Sequence, residues 1–116
     1  MDVQTRIINH VSTDRIMEIE LFGHRYLIFT LMRRNVIVLD ITNKNDIILL
    51  MNSQCISKDD VLKGFDKIAI KALNAIDNDS FDCDLGTYIH LNEITDYDSC
   101  KEIVDVYKII IEDYNL

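Results

Sequence analysis

Hydrophobic positions recur along this chain at two different periods, and the change of period marks out its elements. Val3, Ile7, Ile8 and Val11 stand at helical spacing among polar neighbours, which predicts a short amphipathic helix over 2–11. Ser12-Thr13-Asp14 interrupts it, and from Arg15 the period becomes two, with Met17, Ile19 and Leu21 alternating with Glu18 and Glu20. Strands are predicted at 15–22, 25–32 and 36–42. Gly23-His24 is expected to close the first hairpin as a type II′ turn, because glycine stands first in the pair. Arg33-Arg34-Asn35 is expected to close the second, since Asn35 tolerates the left-handed conformation.

Registering these strands assigns their faces. With Phe22 opposite Arg25, one face carries Met17, Ile19, Leu21, Tyr26, Ile28, Thr30 and Met32, and the other carries Leu27, Phe29, Leu31, Ile37, Leu39 and Ile41. Both faces are apolar around the middle strand, so both need cover. Helices are predicted to supply it. Asn45 or Asp46 can cap a short helix over 46–53 through Ile47, Ile48 and Met51. Ser57 with Asp60 resembles a capping box that opens a helix over 58–76, striped by Val61, Leu62, Phe65, Ile68, Ala69, Ala72, Leu73 and Ile76. A fourth strand is expected at 87–91. Ser99 with Glu102 repeats the capping pattern and starts a helix over 99–114. The expectation is one α+β domain over 1–116, with a three- to four-stranded, mainly antiparallel sheet.

Length and composition agree with that reading. A 116-residue chain with 48% apolar residues can bury roughly two-thirds of its unfolded surface without a metal or disulfide. Its 3 Gly, 0 Pro and 0 Trp fit an AT-rich coding genome of the kind many phages, large DNA viruses and low-GC bacteria have. The apolar runs are too short for a membrane span, and the start shows neither a basic-then-apolar leader nor a glycine at position 2, so a cytoplasmic protein is expected. Cys55, Cys83 and Cys100 are odd in number and widely spaced, which fits reduced thiols better than a disulfide framework.

Charge sharpens the picture more than composition does. The net charge of −8 belongs entirely to residues 66–116, and all five arginines lie in the first third of the chain. Such a field repels nucleic acid and attracts basic surfaces. The carboxylates expected to present it are Asp77, Asp79, Asp82 and Asp84 in one loop and Glu93, Asp96 and Asp98 in the next, because Lys63, Lys101 and Lys108 stand near enough to neutralise Asp66, Asp105 and Glu112. A calcium loop begun at Asp77 fails, since its third ligand position falls on Phe81 and its glycine on Asp82.

No catalytic set is legible. The three glycines are too sparse for a phosphate-cradling loop, and no serine lies in a nucleophile elbow. His24 at a turn tip and His90 in the fourth strand are the imidazoles available for proton transfer, with Arg33 and Arg34 an alternative site at the second turn. The leading expectation is therefore a small acidic interaction protein, phage- or virus-like in composition, that binds and inhibits a host protein without catalysis, cofactor or metal. Its partner is expected to offer a basic surface, and surplus apolar residues such as Ile70 and Ile111 predict a homodimer. The alternatives are a small enzyme or small-molecule or nucleotide binder with a pocket between sheet and helices, using His24 or His90 with carboxylates from Asp77 to Asp98, and a subunit of a larger assembly.

Overall fold

The structure, a computed structural model of the chain, describes residues 2–13, 15–31, 35–53, 64–77, 89–94 and 97–114. Helix α1 (Val3–Val11) starts where extended Asp2 accepts the Thr5 N–H on Oδ1 at 2.7 Å. That contact satisfies one of the helix's orphan donors. The helix stops at Ser12, whose N–H donates to the Ile8 carbonyl and whose left-handed backbone (φ 56°) turns the chain so that the following Thr13 N–H also donates back to that carbonyl, at 3.2 Å. Strands β1 (Ile16–Leu21), β2 (His24–Leu31), β3 (Asn35–Asp40) and β4 (Ile48–Ser53) follow, then helix α2 (Phe65–Asp77), strand β5 (Ile89–His90), a 3₁₀ turn (Leu91–Glu93) and helix α3 (Tyr97–Tyr114). The strands lie side by side in chain order, every neighbouring pair antiparallel. The α+β class is as expected, with five strands among the described residues where three to four were expected.

Both hairpins pair two residues away from the expected register. Leu21 faces His24, so Phe22-Gly23 makes the first turn, with φ of 51° and 76°. Two positive φ values define the type I′ family rather than type II′. Leu31 faces Asn35, so residues 32–34 connect β2 to β3 instead of 33–35. A slip of two residues leaves every side chain on its original face, because side chains alternate with period two. The facial assignment therefore survives both corrections.

Each face has its own core. Leu27, Phe29, Leu31, Ile37, Leu39 and Ile41 pack with Leu49 and Leu91 beneath α1 and α3, which contribute Ile7, Val11, Ile103, Val106 and Ile110. On the other side Tyr26, Ile28, Val36, Val38 and Leu50 meet Phe65, Ile68, Ala69 and Ala72 of α2. Strand β4 serves both faces. Alternation places Leu49 in the first core and Leu50 in the second, and the pairing with β3 shifts between Val38 and Leu39 so that Leu50 is the extra residue of a bulge.

The predicted helix over 46–53 is thus a strand. Ile47 to Met51 is a continuous apolar run, a pattern shared by a short buried helix and a strand buried on both faces. The polar residues before it are used differently from a cap: Asn43 accepts the Asn45 N–H on Oδ1 at 3.0 Å and the Asp46 N–H on its carbonyl at 2.9 Å. A turn results, and the chain leaves it extended. Of the helix expected over 58–76, Phe65–Asp77 is helical and Gly64 before it, at φ 122°, is not; the proposed capping pair Ser57 and Asp60, with Val61 and Leu62, lies outside the described residues. The strand expected over 87–91 is described at Ile89–His90, with Leu91 already in the 3₁₀ turn. Helix α3 starts at Tyr97, which puts Ser99 inside its first turn rather than at its cap. Cys55 and Cys83 lie outside the described residues.

Candidate functional site

The end of the sheet that carries the β1–β2 turn gathers polar side chains. Asp40, the last residue of β3, is 8% exposed and fully engaged. Its Oδ2 accepts from His24 Nδ1 at 2.8 Å, and its Oδ1 accepts from both the Thr42 N–H (2.9 Å) and the Thr42 hydroxyl (2.6 Å). Thr42 Oγ1 in turn accepts the Arg25 N–H at 2.9 Å. His24 also stacks on Tyr26, with ring centroids 6.0 Å apart. A buried carboxylate with a donor on each oxygen avoids the penalty of an unpaired charge. The knot holds the imidazole by Nδ1 and leaves Nε2 for other contacts.

His90 is held in the same manner at a separate place. Its Nδ1 donates to Asp46 Oδ1 at 2.6 Å, and this hydrogen bond, then the Asp46 charge and that of Glu93, raise the imidazole above its ordinary value. The register Tyr26–Asp40–Ile48–His90 runs across four strands, so His24 and His90 share one end of the sheet but stand three strands apart, roughly 14 Å. They form no proton-transfer pair. His10, the third imidazole, lies with Nε2 3.3 Å from Asp105 Oδ2. Asp105 also binds Lys101 at 2.8 Å, and chiefly that contact lowers its carboxyl below the usual range. Every histidine of the chain faces an aspartate on another element, and none of these aspartates comes from the stretch Asp77 to Asp98 that sequence reasoning favoured.

Beside the Asp40 knot lies a cleft of about 430 Å³. The β1–β2 turn forms one wall, the residues after β3 form the other, and α3 closes the bottom with Ile110. Ile41, Ile47 and Ile110 are almost wholly buried, so the floor is already sealed, and polar groups dominate the accessible lining. Those groups are His24, Arg25, Lys44, Thr42 and Glu20. Arg25 leans on Glu18 at 3.1 Å and Glu20 at 3.5 Å. Phe22 stands at the rim, 74% exposed.

Of the acidic residues singled out in the sequence, Asp77, Glu93 and Asp98 are described. Asp77 closes α2, Asp98 sits in the first turn of α3, and Glu93 is exposed in the 3₁₀ turn. Asp79, Asp82, Asp84 and Asp96 lie outside the described residues, as do Arg33 and Arg34. Of the expected neutralising pairs, Lys101–Asp105 forms; Glu112 meets Arg6 of α1 at 2.8 Å, and Asp66 meets Arg15 at 3.2 Å, with Lys63 outside the described residues. Arg6 also binds Asp113, and Glu112 chiefly raises its guanidinium. The sequence pattern singles out neither Asp40 nor Thr42, and it marks Asp46 only as a helix cap, not as the partner of His90. Asp40-Ile41-Thr42 carries one usable signal, an aspartate ending an apolar strand two residues before a hydroxyl and N–H it can bind.

Among the described residues, no three His, Cys, Asp or Glu side chains converge as a metal site would, and no helix is long and apolar enough to cross a membrane. The chain matches no family model, and neither a curated protein nor a solved structure is significantly similar to it.

Proposed function

We propose that this chain is a small, non-catalytic interaction protein of the cytosol that binds and modulates another protein, with the β1–β2 turn as its apolar contact. Phe22 carries the reading. A bulky residue at φ 51° adopts a conformation that costs about 1 kcal/mol or more, and asparagine or glycine would fill that turn position without it. The ring is 74% exposed, so its own fold gains little from it. Strain together with exposed apolar surface is what a contact residue shows when its benefit arises in a complex.

The net charge of −8 supports a basic partner, which acidic surfaces attract and steer. The homodimer expected from an undercovered sheet has less to rest on. Helices α1 and α3 cover one face and α2 the other, which leaves Phe22 and Ile70 (57% exposed) as the large exposed apolar side chains among the described residues. Two-fold association through them is the remaining form of that proposal, and light scattering at micromolar concentration reads it directly. For the partner, the test is parallel capture with wild-type and Phe22→Asn baits, followed by affinity measurement on the captured protein. The expected result is at least a tenfold weaker complex with an unimpaired fold. Equal affinity in both would move the contact away from the turn.

A further inference from the structure

We propose that the outer edge of β1 is a docking site for an extended strand of the partner, one in which lysine or arginine alternates with apolar residues. This rests on the reading that the chain binds a protein with a basic surface, and it names how that protein is held. Strand β1 ends the sheet, pairing with β2 on one side, and among the described residues no backbone hydrogen bond crosses its other side. The direction of its backbone groups follows from β2. Arg25 spends its N–H on Thr42 Oγ1 at 2.9 Å and its carbonyl on the Ile41 N–H at 2.8 Å, both on the β3 side. Glu20, opposite Arg25, therefore exchanges no backbone bonds with it. Because the β1–β2 register is unbroken, the N–H and carbonyl groups of Glu20, Glu18 and Ile16 all point outward. Such a row is a template for one more strand.

The side chains say which strand fits. Met17, Ile19 and Leu21 lie on the α2 side and stay half-buried against that core, so apolar residues of an added strand would extend it. Glu18 and Glu20 stand on the other side. Arg25 reaches both, at 3.1 Å and 3.5 Å, which leaves the three groups one net negative charge, and the Glu20 side chain is still 76% exposed. A second copy is the wrong occupant. In the two registers of fullest overlap, centred on Glu18 and on Ile19, β1 paired with its own two-fold mate sets Glu18 against Glu18 or Glu18 against Glu20, and like charges directly opposite destabilise a pair. Lysine or arginine at those positions turns each such contact into an attraction. The edge also runs into Phe22, so the end of the added strand meets the exposed ring.

Amide hydrogen exchange of the ¹⁵N-labelled chain, followed during titration with a capped octapeptide that alternates lysine with valine, tests this. The controls are the same peptide N-methylated throughout its backbone, which cannot pair, and one that alternates glutamate with valine. The lysine peptide should bind saturably and slow exchange at Ile16, Glu18 and Glu20, the outward amides, more than at Met17, Ile19 and Leu21, which β2 already holds. Glu20→Lys should weaken it about tenfold, with Glu20→Gln as the milder variant if the first perturbs the fold. Equal binding of either control, no saturable protection of the three outward amides, or binding unchanged by both Glu20 variants would overturn the proposal. The two readings fail separately: a captured partner indifferent to Phe22→Asn removes the turn contact and leaves this titration standing, while a failed titration removes the edge and leaves the Phe22→Asn result standing.

Discussion

The two faces of the sheet are built by the same strands from opposite parities, yet they differ in chemistry. The face under α1 and α3 buries a large apolar cluster, with Phe29, Leu27, Ile37, Leu39 and Leu49 closed by two helices. Among the described residues, the other face is closed by α2, which approaches through Ala69 and Ala72, and polar groups stand at both ends of it. At one end Thr30 meets Thr13, hydroxyl to hydroxyl at 3.0 Å; at the other Asp40 organises His24 and Thr42. The first face is a stability element. The second trades burial for a satisfied polar network, and that network shapes the end of the sheet that carries the β1–β2 turn.

The largest expected effect probes the apolar face. Phe29→Ala should cost about 3–5 kcal/mol in urea unfolding, through lost burial plus a cavity that two helices cannot collapse into. A loss under about 1 kcal/mol would erase the contrast between the faces. Overpacking probes the other side: Ala72→Leu should cost about 1–3 kcal/mol by pushing α2 off the sheet. Near-neutral behaviour there would mean that α2 does not sit close. Asp40→Ala should cost a similar amount, because it leaves the Thr42 N–H, the Thr42 hydroxyl and His24 Nδ1 without their acceptor. Loss of the His24 and Thr42 amide positions in the NMR spectrum should accompany it.

A smaller effect of opposite sign is expected at the turn. Phe22→Asn creates Asn-Gly in a type I′ turn and should raise stability by about 0.5–1 kcal/mol while weakening partner binding. A destabilised variant would mean that the phenylalanine ring serves the fold after all. The most local effect concerns His90, whose imidazole should titrate above the ordinary value of about 6.5 and return toward it in Asp46→Asn. The sign follows from linkage. A raised folded value makes the pair's contribution complete below the unfolded value and lost as pH rises through the folded one. The melting difference between wild type and Asp46→Asn should therefore be greatest on the acid side and shrink on the alkaline side.

Much of the architecture was legible in the sequence because it depends on parity and periodicity. Alternation at Met17, Ile19 and Leu21 and again at Leu27, Phe29 and Leu31 assigned each residue to a face, and a register slip of two residues cannot alter that assignment. The apolar stripe from Phe65 to Ala72 likewise marked a helix with one buried side. Turn chemistry was less legible. Gly23 pointed to a tight turn, but a phenylalanine ahead of it at positive φ runs against intrinsic preference, so the turn pair was placed one residue too late.

What tertiary structure alone decided are the matters in which distant segments choose between locally equivalent states. Ile47 to Met51 carries no periodicity that separates strand from helix, and β3 on one side with β5 on the other supplied the hydrogen-bonding partners that made it a strand. The aspartate facing each histidine could not be read either: His24 meets Asp40 across a hairpin, His90 meets Asp46 from 44 residues away, and His10 meets Asp105 across two helices. Local sequence determines which way a side chain faces, because backbone geometry repeats with a fixed period. Which group it then meets depends on how the elements pack, and packing is a property of the whole chain.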